Sequence, residues 1–135
     1  MWTNQSPNDS YWLRVSDKGA DYQLSPNFQL REAQCKDGCD MVLIHPALVD
    51  LAQHLRDMFG PIRVCSWYRT VEHNRTIGGT HNSKHTMGMA FDWYPLKEDL
   101  LETQAIVKKM PIGGVGLYEG FTHCDVHGQR RRWDG

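Results

Sequence analysis

Between Ser83 and Asp92 the chain sets an imidazole at His85 and a carboxylate at Asp92, seven residues apart, with Gly88 between them where the backbone must turn. Imidazole nitrogen and carboxylate oxygen form a ligand pair that suits Zn²⁺, and a catalytic zinc site needs three protein ligands plus an open position for water. The late run Thr122-His123-Cys124-Asp125-Val126-His127 offers the third. If this run is a strand, His123, Asp125 and His127 share one face. Three ionisable groups there are costly to bury without a metal or a wet cleft. Ala90 and Asp92 share a face in the same way. His85, Asp92 and His123 then make three ligands, with His127 competing for the third place. Arg69, which leaves a strand after two aromatics, can grip a carboxylate bidentately or stabilise a tetrahedral oxyanion.

The elements that must position these groups follow from pattern. Tyr11 to Val15 can add an edge strand, and Ser25-Pro26-Asn27 leads into a short helix from Phe28 to Ala33. His45-Pro46 opens the clearest helix, with proline at its first position. Leu48, Leu51, Ala52, Leu55, Met58 and Phe59 recur at helical steps until Gly60-Pro61 stops it. A strand follows over Ile62 to Ser66, then a short capped helix at Thr70 to Asn74. The loop from Thr80 to Ser83 delivers His85, and a strand runs from Met89 to Tyr94. A second amphipathic helix spans Lys97 to Met110, with Leu100, Leu101, Ile106 and Val107 inward. Gly114 to Tyr118 and Phe121 to Val126 pair as a hairpin across Glu119-Gly120. The sum predicts an α+β fold: a small, mostly antiparallel sheet with helices on one side, residues 1–24 forming an extension and 25–135 a single domain.

Composition narrows the class. At 135 residues, 40% hydrophobic, 23% charged and with net charge −1, the chain reads as one globular domain. A near-neutral balance argues against a phosphate-driven nucleic-acid binder, and Arg130-Arg131-Arg132 is too short to reverse it. No apolar stretch approaches the ~18 residues of a membrane span, and the polar N-terminus predicts no signal peptide. Cys65 and Cys124 read as small hydrophobes in strand runs. Cys35 and Cys39 lack the second pair that a zinc ribbon needs, and read as reduced thiols.

Ser83-x-His85-x-x-Gly88-x-Ala90-x-Asp92 resembles the S-x-H-x-x-G-x-A-x-D signature of zinc D-Ala-D-Ala carboxypeptidases and related peptidoglycan peptidases, phage endolysins included, a group whose fold is shared by the hedgehog domain. Ser66-Trp67-Tyr68-Arg69, His73-Asn74, Gly78-Gly79, Gly114-Val115-Gly116-Leu117-Tyr118, Phe121 to Val126 and Arg132-Trp133 extend the resemblance over roughly residues 25 to 133. It implies one Zn²⁺ on His85, Asp92 and His123, Arg69 as a catalytic and substrate-binding group, Ser83 as a substrate contact, and hydrolysis of an amide bond in peptidoglycan stem peptides by a zinc-activated water. Many such enzymes carry their catalytic acid three residues before the last histidine, where this chain has Gly120. Asp125, Glu119 and His127 are therefore the candidate general bases. The expectation is a monomeric, cytoplasmically made enzyme that acts on the cell wall, of phage or prophage origin. The alternative is a non-catalytic zinc-binding module of the same fold that docks on a wall or a partner.

Overall fold

The computed structural model describes residues 2–135. Strand β1 (Tyr11–Arg14) runs into a single helical turn, α1 (Val15–Lys18), and a small hairpin follows, β2 (Gln23–Ser25) and β3 (Phe28–Gln29). The first two residues of the helix expected over Phe28 to Ala33 are thus strand, and only α2 (Leu30–Ala33) is helical. Here Gln29 and Glu32 close a reciprocal capping box that starts the helix two residues late. Strand β4 (Met41–Ile44), not anticipated from sequence, pairs antiparallel with β1.

The predicted helix after it stands as α3 (Pro46–Phe59). His45 caps it, its Nδ1 accepting from the Ala47 N–H at 3.1 Å, and Gly60 ends it at φ +75°, a conformation that favours glycine. Leu48, Leu51, Ala52 and Leu55 are wholly buried, whereas Met58 faces out. Strand β5 (Ile62–Ser66) then enters the main sheet, and α4 (Val71–Thr76) begins on Thr70, whose hydroxyl accepts from the His73 N–H. A 3₁₀ turn, Lys84–Met87, precedes β6 (Ala90–Pro95).

The second amphipathic helix is shorter than predicted, α5 (Leu100–Val107), and turned differently. Leu101 and Ile106 are exposed, while Thr103, Gln104 and Val107 are buried. Gln104 takes an inward position because its Nε2 donates to the carbonyls of Tyr118 and Phe121, at 3.0 and 3.1 Å. These two bonds pin the hairpin of β7 (Gly114–Leu117) and β8 (Thr122–Asp125) to the helix. The last strand, β9 (Arg131–Asp134), passes to the far side of β7 and runs parallel to it.

The sheet order is β5-β6-β8-β7-β9, antiparallel except for that last pair. Phe91, Trp93, Cys124 and Val115 alternate onto one face, are wholly buried, and join the α3 side chains in a single core. The opposite face carries Asp92, His123 and Asp125. This is the expected α+β arrangement, with the chemistry on the face turned from the core. Residues 2–24 pack into the same body: Trp2 is buried against α3, its indole N–H donating to Asp50 at 3.0 Å. Cys65, expected to be buried, is exposed: Val64 faces the core opposite Trp93, so alternation turns Cys65 the other way, and the bulge between Val64 and Ser66 brings Ser66 opposite Asp92. Cys124 is buried as expected, and burial pushes its thiol up to about 12.

Burial separates the two leucine-rich helices in a measurable way. Leu51→Ala should cost about 2–5 kcal/mol in urea unfolding, whereas Leu101→Gln should stay within about 0.5 kcal/mol of the parent.

Candidate metal centre

Register builds the site. Ser66, Asp92, His123, Gly116 and Trp133 lie side by side in one row across β5, β6, β8, β7 and β9. The next row holds Ala90, Asp125, Gly114 and Arg131. Asp92 and His123 are direct cross-strand partners, which places the His123 Nδ1 at 3.0 Å from Asp92 Oδ1. His85 arrives from the 3₁₀ turn, its Nε2 at 3.2 Å from the same oxygen. The ligand atoms of the three residues all lie within 4.8 Å of one another.

What surrounds each ring fixes which nitrogen faces the centre. The Nδ1 of His85 lies 2.7 Å from the Trp67 carbonyl, which can only accept, so that nitrogen carries the proton. The backbone N–H of His85 is bound by the Ser83 hydroxyl at 3.3 Å. On the other side, the Nε2 of His123 lies 3.0 Å from Asp125 Oδ2, a carboxylate that likewise demands the proton. With each outer nitrogen protonated, the neutral rings turn their lone pairs on Asp92 Oδ1, itself a lone-pair donor. Three acceptors converging with nothing between them are repulsive, and a cation is the partner that chemistry supplies. Two imidazoles and one carboxylate, each ring held by an outer hydrogen bond, suit Zn²⁺.

The titrations follow the same contacts. Burial opposes the Asp92 charge, yet a proton shared from either ring, standing where a cation would sit, outweighs it through hydrogen bonds from His123 and His85 and holds the carboxyl well below the usual range. Burial pushes His85 down, Asp92 offsetting only part of it. His123 is also penalised by burial, but Asp125 and Asp92 together raise it.

Among the supporting groups, Arg131 is one the sequence did not single out. Arg131 reaches across β7 to Asp125, whose Oδ1 also accepts from the N–H groups of Gly114 and His127. That reach is open because Gly114 has no side chain: a Cβ there would sit 2.2 Å from Asp125 Oδ2. Gly116 is needed for the same reason, since its Cβ would lie 2.5 Å from the Trp133 indole, which packs 5.3 Å from the His123 ring. Arg69 donates to Asp92 Oδ2 at 3.3 Å, Ser66 Oγ at 3.0 Å and Asn74 Oδ1 at 3.2 Å. Asn74 in turn donates to the Thr80 carbonyl, tying Arg69 to the loop over the site.

The predicted residues therefore divide. His85, Asp92, His123, Arg69 and Ser83 line one cleft of about 260 Å³, with Gly78 to Thr80, Tyr118 and Phe121 as its other walls. Asp125 is wholly buried beside the outer nitrogen of His123, where it orients the ring rather than facing the cleft. Glu119 is exposed at the hairpin turn between two cleft-lining residues. His127 lies beyond the end of β8, half-buried, with its N–H on Asp125. Gly120 adopts φ +102°, a conformation that disfavours any side chain, so the turn itself leaves no place for a carboxylate at that position.

A family model described as Peptidase M15 matches residues 22–125, more than three quarters of the chain. No curated protein matches it significantly. The chain belongs to the peptidase M15 family, a family of zinc-dependent metallopeptidases, and its His85, Asp92 and His123 form a group able to hold the metal.

Asp125→Asn keeps the shape but loses the acceptor that fixes the His123 ring. Zinc affinity, measured by chelator competition, should fall about 10–100-fold while far-UV circular dichroism stays unchanged.

Proposed function

We propose, from that membership, that the chain hydrolyses an amide bond in the peptide moiety of peptidoglycan, next to a D-amino acid. The observation that carries the reading is the convergence of two ring nitrogens on one oxygen of Asp92, at 3.2 and 3.0 Å, on the floor of an open cleft. Zinc held there would polarise the scissile carbonyl and bring the pKa of a bound water toward ~7.

The chain's own groups do the rest. Arg69, fixed by Ser66, Asn74 and Asp92, holds a positive charge at the cleft wall without needing to reorganise, and it stabilises the oxyanion that forms as the carbonyl is attacked. Ser83, buried on the same wall, offers its hydroxyl to the substrate backbone. Asp125 and Arg131 keep His123 in one tautomer. The remaining task, taking a proton and passing it to the leaving amine, falls to Glu119. It is a free carboxylate at the rim, and Tyr118 and Phe121 on either side of it line the cleft. The protein acts as a monomer on cell-wall peptides and fits a phage or prophage lytic role.

One observation favours a second reading. Among the described residues lining the cleft, Asp92 is the sole carboxylate, as in a zinc-binding module that docks on a wall peptide without cutting it.

Purified peptidoglycan separates the two. Zinc-loaded protein should release fragments with new amino termini, detected by mass spectrometry, and chelator should stop the release. Arg69→Ala should lower kcat about 10²–10³-fold, and Glu119→Gln about 10²–10⁴-fold, both with zinc content retained. Unchanged muropeptides with a fully loaded protein would leave the docking module standing.

A further inference from the structure

Tyr118 carries a hydroxyl proton that no acceptor among the described residues takes up. The residue directly follows β7 and, by strand alternation, shares the site face with Gly116. Its phenol oxygen lies 2.9 Å from Trp133 Nε1. An indole nitrogen can only donate, so this bond occupies a lone pair of the phenol and leaves the phenol's own proton to be donated elsewhere. The incoming N–H also polarises the O–H and makes it the better donor. Trp133 belongs to the row of the metal centre: its indole lies over Gly116, the cross-strand partner of His123, and packs 5.3 Å from the His123 ring. The hydroxyl is therefore held on the site face of the sheet, on the His123 side of the centre.

The ring is fixed on every side that the fold controls. It stacks on Phe121, with centroids 4.6 Å apart and planes 5° from parallel. A side chain at Gly135 would collide with Tyr118 Cε2 and Cδ2, so the backbone there packs directly on the ring edge. The Tyr118 N–H donates to the Phe121 carbonyl at 3.1 Å, and its carbonyl accepts from Gln104 at 3.0 Å. A donor held this firmly needs no reordering when charge develops beside it, which is the condition under which a hydrogen bond contributes most to a transition state.

Arg69 stands at the other end of the same row. It is anchored on Ser66 and Asp92, and the row runs Ser66, Asp92, His123, Gly116, Trp133. A guanidinium and a phenol thus flank the metal ligands from opposite sides, and both line the one cleft. Resting on the reading of the chain as a wall peptidase, we propose that Tyr118 is a further catalytic residue. Its hydroxyl donates a hydrogen bond to the substrate oxygen that gains negative charge as the amide carbonyl is attacked, across from Arg69. Trp133 is the positioning residue: by occupying the phenol's lone pair it turns the proton toward the cleft.

Tyr118→Phe tests this, because it keeps the ring, the stack on Phe121 and the packing of Gly135 and removes only the oxygen. On the wall peptide that the zinc-loaded parent cuts, kcat should fall about 10–100-fold, the loss of one hydrogen bond to a charged group, with KM within about twofold of the parent. A phosphinate analogue of that peptide, with tetrahedral charged oxygens in place of the scissile carbonyl, should bind the variant about 10–100-fold more weakly in calorimetry. Trp133→Phe, which keeps Tyr118 and releases its oxygen, should lower kcat by a smaller factor, about threefold to tenfold. Parental kcat or parental phosphinate affinity in Tyr118→Phe overturns the inference and leaves the peptidase reading intact. A fall in kcat matched by an equal fall in zinc affinity also overturns it, since a structural role would act that way. If the zinc-loaded parent leaves peptidoglycan uncut, the peptidase reading fails and the assignment of Tyr118 fails with it.

Discussion

Two imidazoles that turn their unprotonated nitrogens on the same carboxylate oxygen hold an arrangement that elementary electrostatics disfavours. The rings stay because each is gripped from behind, His85 by the Trp67 carbonyl and His123 by the Asp125 carboxylate. Arg69 takes the other oxygen of Asp92, which leaves Oδ1 as the oxygen both rings meet. None of these contacts is free to relax: His85, Asp92 and Asp125 are all buried, and Trp67 is locked in the core against Phe28 and Phe91. The rigid core on one face of the sheet thus preserves an unfavourable convergence on the other, and a cation relieves it.

The second constraint is space. Strand β7 separates β8 from β9, yet Arg131, which holds Asp125, and Trp133, which packs by His123, come from β9, two strands away. Side chains can meet over an intervening strand only where that strand has none, and Gly114 and Gly116 clear the two rows in question. Gly113 serves the path of the chain itself, since a Cβ there would lie 2.7 Å from the His127 carbonyl oxygen and 3.0 Å from that of Asp125. The Gly-Gly-Val-Gly run is therefore a clearance pattern, with Val115 alone pointing to the core.

How much of this was legible in the sequence depends on the range of the interaction. The group able to hold a metal was readable because two of its residues lie in one short motif, and strand alternation put His123 and Asp125 on a common face. The α3 face was readable because most of its apolar stripe is buried, Met58 excepted. Leu101 and Ile106 misled because α5 is short and its inward position goes to Gln104, a polar residue whose two partners lie 14 and 17 positions away. Arg131 looked like part of a charge run, since nothing local announces a parallel pairing of β9 with β7. Asp125 was recognised as important but placed in the wrong part of the site: alternation fixes the face of a residue, not which atom of its neighbour it meets.

The division between floor and rim bears on how such a site can vary. The ligands and the groups that orient them belong to the sheet and to a turn packed on it, so a change there disturbs the core. The 78–80 loop and the Tyr118 to Phe121 turn line the cleft from connections between elements, where substitutions cost little stability. The tight turn at Gly120 illustrates the trade. Its positive φ closes the hairpin in two residues and lets Gln104 clamp both flanks, but it removes the position from which β8 could project a carboxylate into the cleft. On the proposed reading the proton-transferring carboxylate comes from the rim instead, so that the metal-holding floor can stay fixed while the rim varies.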